Sequence, residues 1–157
     1  MSFKMQHYSR KVFLIPPVYF ILAMALCYSC YRGLPQFNLI RPPFSCLAGV
    51  PLCILGSVFM LSSVFFLKKQ HTTFHFVKST TVVVRGTYHL SRNPIYLGML
   101  IFLLGLSAVF GNVVAPVSVL FLFCVIDFMF IPYEEEKMEI ELGQPYLDYK
   151  SRVRRWL

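Results

Sequence analysis

The sequence predicts an all-α, polytopic membrane helical bundle of about four transmembrane helices with C-terminal interfacial helices. Three observations carry this expectation. First, the 157-residue chain is 57% hydrophobic and 17% aromatic but only 14% charged. Soluble domains carry about 25% charged residues, so polar surface here is too scarce to cover a water-soluble globule. Second, four apolar runs approach the ~20 residues a helix needs to cross a hydrocarbon core. Third, basic residues are divided very unequally among the segments between those runs.

The first run extends from Val12 to Tyr31 and the second from Phe44 to Leu67. The first is too long for a signal peptide and lacks a small-residue cleavage site. The third, Pro94 to Phe110, is shorter. The fourth, Val113 to Tyr133, follows after only Gly111-Asn112, which predicts a tight antiparallel hairpin. Each run must be helical, because lipid satisfies no bare peptide group.

Lys4, Arg10 and Lys11 precede the first run; Lys68, Lys69, Lys78, Arg85 and Arg92 lie in the 68–92 loop. Lys137, Lys150, Arg152, Arg154 and Arg155 follow the fourth run. The 31–43 loop holds only Arg32 and Arg41. Four spans thus place 13 basic residues on one side and 2 on the other, which puts both termini and the 68–92 loop in the cytoplasm. Beyond the fourth run, Met138, Leu142, Tyr146, Tyr149, Val153 and Trp156 recur at helical spacing. Gly143 and Pro145 divide this stretch into two short helices, Pro145 falling in the first turn of the second. The basic residues near its end and Trp156 suit a helix lying on anionic lipid. The chain reads as a single membrane domain, 1–157.

The net charge of +8 does not imply nucleic acid, because the basic residues flank apolar runs and no recognition element is present. Cys27, Cys30, Cys46, Cys53 and Cys124 all fall in apolar stretches and read as small hydrophobes. His71 and His75 are four apart but lack a third ligand, so no metal site is expected. All seven carboxylates, Asp127, Glu134, Glu135, Glu136, Glu139, Glu141 and Asp148, lie in the last fifth of the chain. Carboxylate chemistry must come from there.

Two segments have the composition of a site. In Arg85-Gly86-Thr87-Tyr88-His89-Leu90-Ser91-Arg92-Asn93-Pro94-Ile95-Tyr96-Leu97-Gly98, Asn93 is a natural N-cap and Pro94 suits the first helical position. Gly98 admits a close backbone or ligand, and free N–H groups at the helix start attract an anion. His89 falls among these residues. A plain helix start with Arg92 as an interfacial anchor accounts for the same pattern. The second segment is Tyr133-Glu134-Glu135-Glu136. Glu134 lies seven residues after Asp127, which puts both on one helical face. Asp127 sits inside the bilayer boundary, where an ionisable group is expensive and is a functional candidate. Pairing of Asp127 with Arg92 or a nearby Lys is the structural alternative.

Together the segments resemble the isoprenylcysteine carboxyl methyltransferase family, which shares its pattern with membrane phospholipid methyltransferases. Gly86, Tyr88, Arg92, Asn93, Pro94, Tyr96 and Gly98 match its first block. Glu134, Glu135, Met138, Leu142, Gly143, Tyr146 and Tyr149 match its second, with Arg155-Trp156 closing. Thr72-Thr73 and Val82-Val83-Val84 match a run before the glycine, so the resemblance covers about residues 68–157. Thr87 stands for the usual Pro, Met138 and Leu142 for Leu and Phe, and Arg154 for a frequent Pro. Asn93 in place of His is common in the bacterial branch, which implies a bacterial inner membrane.

The resemblance implies an S-adenosylmethionine-dependent methyltransferase with a membrane-embedded or hydrophobic acceptor at the cytoplasmic face. Under it, Tyr88, Asn93, Pro94, Tyr96, Gly98, Glu134 and Glu135 form the cofactor site. Glu134 or Glu135 takes the cofactor's ammonium or ribose, and Tyr88, Tyr96 or Tyr133 faces its sulfonium. Free N–H groups near Asn93 and Pro94 hold its carboxylate. Arg92 and Glu135 are the catalytic candidates, Arg92 positioning an anionic acceptor. The acceptor, a carboxylate, thiol or amine, enters sideways from the bilayer. A non-catalytic membrane scaffold and a membrane reductase of related pattern are the competing readings.

Overall fold

The structure, a computed structural model, describes residues 15–69 and 86–157. His7, His71, His75, Thr72-Thr73, Lys78, Val82-Val83-Val84, Arg85, the start of the first run and the N-terminal basic residues lie outside the described residues. Among the described residues five helices form: α1 (Pro16–Gly33), α2 (Phe44–Lys69), α3 (Pro94–Phe110), α4 (Val117–Leu142) and α5 (Gln144–Arg152). Short 3₁₀ turns cover Pro35–Phe37 and Gly86–His89. No named strand occurs among the described residues.

Helices α1 to α4 correspond to the four apolar runs. Two of them, α2 over the 25 residues Phe44–Lys68 and α4 over 26, are long and apolar enough to cross a membrane by themselves. Helix α1 has 18 residues and α3 has 17. Apolar side chains point outward: Leu47, Ile54, Leu61 and Phe65 of α2 and Phe128 of α4 are all more than half exposed. Hydrocarbon is the solvent that suits such a surface.

In lipid, apolar burial does not drive helices together, so association depends on close packing. Helix α1 buries Ala23, Cys27 and Cys30, spaced four and three apart. Helix α4 buries Ser118, Leu122, Ile126 and Phe130 at four-residue steps. Helix α3 contributes Tyr96, Met99, Leu103 and Ser107. Edge-on ring contacts join Tyr19 to Phe130 at 5.5 Å and Phe20 to Phe102 at 5.9 Å.

Helix α2 lies against α3 through glycines placed seven apart on each helix, Gly49 and Gly56 facing Gly98 and Gly105. A Cβ on Gly56 would sit 2.5 Å from the Phe102 nitrogen and 2.7 Å from the Gly98 oxygen. Gly98 therefore meets the backbone of α2, the first of the two uses its lack of a side chain allows. The seven-residue spacing was the sequence signal for this seam.

The α3–α4 connection is longer than the expected two-residue turn, because α4 starts at Val117 instead of Val113. Gly111 ends α3 in the left-handed region at φ 63°. Asn112, 3% exposed, then acts as a hub. Its Nδ2 donates to the Cys30 and Leu34 carbonyls and to Asn38 Oδ1, at 3.2, 3.1 and 2.6 Å. Its Oδ1 accepts from the Val114 and Ala115 N–H groups at 2.9 and 3.0 Å. Asn112→Ala orphans these groups, and is expected to cost about 2–4 kcal/mol at 1–3 per buried unsatisfied group. Thermal unfolding in detergent measures it; a loss below about 1 kcal/mol would remove Asn112 from this role.

At the other end of the bundle, Ser63 near the end of α2 meets Thr87, and Tyr96 at the start of α3 meets Glu134 late in α4. The second and fourth apolar helices thus finish where the third begins, as the basic-residue pattern requires.

Candidate functional site

The 86–93 lead-in is seated on α2. Gly86 adopts φ +62°, and a Cβ there would overlap the Phe66 ring, so glycine is needed twice over. The Thr87 hydroxyl lies 2.8 Å from Ser63 Oγ. That contact gives a purpose to Thr87, where the resembling family has Pro. Ser91, fully buried, accepts the Asn93 N–H at 3.1 Å and donates to the Arg155 carbonyl at 3.0 Å. Asn93 occupies the N-cap position of α3, but its side chain makes no capping bond. Its Nδ2 donates instead to the Arg155 carbonyl at 3.2 Å. Pro94 is fully buried, and His89 is exposed.

The chain's end closes back on this segment. Helix α5 has Pro145 in its first turn, as expected, and buries Tyr146 and Tyr149. Beyond it the Arg154 carbonyl accepts the Arg92 N–H at 3.0 Å. Trp156 packs on Phe123 at 5.3 Å and donates to Asp127 Oδ1 at 3.1 Å. Arg155 Nη1 reaches the same oxygen at 3.4 Å. The alternative that pairs Asp127 with Arg92 or a nearby Lys gives way to a different pairing: the returning Arg155-Trp156 meets the Asp127 carboxylate.

A π-helical turn over Ile126–Phe130, closed by the Ile131 N–H on the Ile126 carbonyl, alters the face of α4. Pro132 follows at once and supplies no N–H, and its ring crowds the preceding turn. One extra residue in the turn means that the residue eight after Asp127, not seven, shares its side. Arg155 accordingly bridges Asp127 and Glu135, while Glu134 turns to α3. The expected Asp127–Glu134 face is thereby corrected. Pro132 was the available signal.

The two adjacent glutamates have different surroundings. Glu135, 6% exposed, faces three cations. Arg155 donates from Nε to Oε1 at 3.3 Å and from Nη2 to Oε2 at 3.0 Å. Arg92 Nη1 lies 3.2 Å from Oε1 and Lys150 Nζ lies 3.5 Å from Oε2. Lys150 also holds Glu139 at 2.6 Å. Glu134 has no salt bridge among the described residues, and accepts the Tyr96 hydroxyl at 2.6 Å. Tyr88 lies within the field of that carboxylate. Its carbonyl accepts the Tyr149 hydroxyl at 2.8 Å.

Burial first, then Tyr149 and Glu134, pushes the Tyr88 phenol well up; burial and then Tyr146 push Tyr149 well up, and burial and Glu135 push Tyr146 to about 12, both against the opposing pull of Arg92. All three are neutral at neutral pH. Tyr133 is half-buried, one residue before Glu134. Of the residues singled out by sequence, the structure brings together Tyr88, Tyr96 and Glu134, and separately Arg92 and Glu135. Gly98 is taken up by α2. Arg155, Lys150 and Asp127 join the cluster through tertiary contacts.

A helical bundle with outward-facing apolar side chains that gathers tyrosines, carboxylates and arginines at one end has the make-up of a membrane-associated helical protein with a polar cluster at that end. The pattern of the phospholipid methyltransferase family matches residues 44–144, well over half of the chain. The chain belongs to that family, whose members transfer methyl groups to membrane lipid-like substrates. It is 27% identical over 114 residues to "Protein-S-isoprenylcysteine O-methyltransferase B" of Arabidopsis thaliana, an alignment spanning 67% of this chain and 55% of that protein. It is 39% identical over 62 residues to an uncharacterized protein of Haemophilus influenzae, spanning 40% of this chain and 98% of that protein. The chain thus spans about half the length of the plant relative. No solved structure matches it.

Proposed function

We propose that this chain is an S-adenosylmethionine-dependent methyltransferase acting at the cytoplasmic face on a hydrophobic acceptor that enters from the bilayer. The observation that carries the reading is the Tyr96–Glu134 pair with Tyr88 beside it. A carboxylate without a salt-bridge partner among the described residues and bonded to the Tyr96 phenol suits a cationic ligand through charge and cation–π attraction. Glu135, already shared by three cations, is poorly suited to a fourth.

When bound, the donor supplies a methyl carbon made electrophilic by its sulfonium. Transfer forms a bond from the acceptor's lone pair to that carbon, breaks the carbon–sulfur bond and leaves the electron pair on sulfur. The protein's part is alignment and exclusion of water. In this reading Glu134 holds the donor's ammonium, and Tyr88 and Tyr96 flank its positive charge. Arg92 positions the acceptor, and Glu135 sets the place of Arg92. A carboxylate or thiolate acceptor is already nucleophilic, whereas an amine must first lose a proton.

The direct test incubates detergent-purified protein with methyl-labelled S-adenosylmethionine and total membrane lipid. Label in a lipid supports the reading; calorimetric binding of a nicotinamide dinucleotide, with none of S-adenosylmethionine, would replace it with a reductase. Glu134→Gln is expected to weaken donor binding about ten- to hundredfold, the worth of a charge-assisted hydrogen bond, with little change in thermal unfolding. Unchanged donor affinity would exclude Glu134 from the donor site.

A further inference from the structure

Arg92 is nine-tenths buried as a side chain, yet its contact with Glu135 is limited to one atom pair, Nη1 to Oε1 at 3.2 Å. A buried carboxylate beside a guanidinium ordinarily pairs through two parallel hydrogen bonds. Here the forked pairing with Glu135 belongs to Arg155, Nε on Oε1 and Nη2 on Oε2. Neither Nε nor Nη1 of Arg92 has a hydrogen-bond acceptor among the described residues. A buried guanidinium donor left in that state is costly unless something supplies an acceptor. The tail that carries Arg155 is fastened to the turn that carries Arg92: the Arg154 carbonyl takes the Arg92 N–H, and the Arg155 carbonyl takes Ser91 and Asn93. The clamp and its target are therefore joined directly by hydrogen bonds. Arg154 and Arg155 fall beyond the residues matched by the family pattern.

We propose that Arg155 is a positioning residue: by gripping Glu135 it keeps that carboxylate from closing on Arg92, and so preserves the Arg92 edge as the seat for an oxyanion of the acceptor. The inference rests on the methyltransferase reading. Its ligand chemistry is a single buried oxyanion, which a phospholipid phosphate and a prenylcysteine carboxylate both present. Without Arg155, Glu135 is free to pair with Arg92 in both N–H directions and occupy the seat.

The test measures transfer from labelled S-adenosylmethionine to phosphatidylethanolamine vesicles and, separately, to an S-prenylated cysteine, alongside donor binding by calorimetry. For Arg155→Ala we expect turnover on the wild-type acceptor to fall about a hundredfold, the effect of a misplacement near 1 Å. Donor affinity should stay within about twofold. Arg155→Lys, with one point charge in place of a fork, should recover only part of the rate. Added guanidinium should partly restore Arg155→Ala, whose vacated site is one-third exposed. Which probe accepts the methyl group distinguishes the phosphate from the carboxylate. Wild-type turnover in Arg155→Ala, or a matching loss of donor affinity without guanidinium rescue, would overturn the positioning role alone. Failure of the wild type to bind donor and to methylate either probe would overturn both this role and the reading beneath it.

Discussion

Glu135→Gln is expected to destabilise the protein by about 3–5 kcal/mol, the loss typical of breaking a buried ion pair from one side. The carboxylate side chain is 8% exposed and lies within 3.5 Å of Arg92, Arg155 and Lys150. Its amide replacement keeps the shape but removes the only negative charge that touches Arg92 among the described residues. Arg92 is itself 10% exposed and cannot turn to water. Arg155 and Lys150, each about one-third exposed, regain part of their hydration, so the loss centres on Arg92. Thermal unfolding in detergent should shift by roughly 10 °C, at 2–4 °C per kcal/mol for a chain of this size. Glu134→Gln, one residue away, should leave the transition nearly in place while weakening donor binding. Equal shifts from the two substitutions would refute the division of labour between the adjacent glutamates.

Gly56→Val is expected to separate α2 from α3 and to abolish correctly packed protein. The new Cβ would lie 2.5 Å from the Phe102 nitrogen and 2.8 Å from its Cα. These are backbone atoms of a helix, so no side-chain rotation relieves the contact. Overpacking costs about 1–3 kcal/mol where neighbours can adjust, and this seam has no adjustable neighbour at Gly56. Helix α2 gains little elsewhere, since most of its surface faces outward. Its end also supports the site, through Ser63 on Thr87 and Phe66 under Gly86. Loss of the seam should therefore remove donor binding together with stability. Gly33→Val, at a glycine with nothing within 4 Å, is the control and should behave as wild type by gel filtration and thermal unfolding.

Much of the architecture was legible in the sequence. Pro94 and Gly111 mark the limits of α3, and Pro145 marks the start of α5, because proline and glycine act through local backbone geometry. Tyr88, Tyr96 and Glu134 were singled out, and they assemble. The errors were of another kind. The partner of Asp127 is Arg155 and not Arg92 or a lysine, and the Asn93 side chain makes no capping bond. Each depends on where residues 153–157 come to rest, which no local pattern encodes. The wrong helical face for Glu134 has a local cause that went unused, the proline at position 132.

Composition and run length by themselves determined an all-helical chain with apolar helices long enough to cross a membrane, since the hydrocarbon requirement acts on each segment independently and simply adds along the chain. Tertiary structure alone decided which glutamate is bound among cations and which has no salt bridge among the described residues. That choice depends on a one-residue widening of α4 and on a tail returning across the bundle. Both are non-local or register effects, and a shift of a single residue exchanges the two roles.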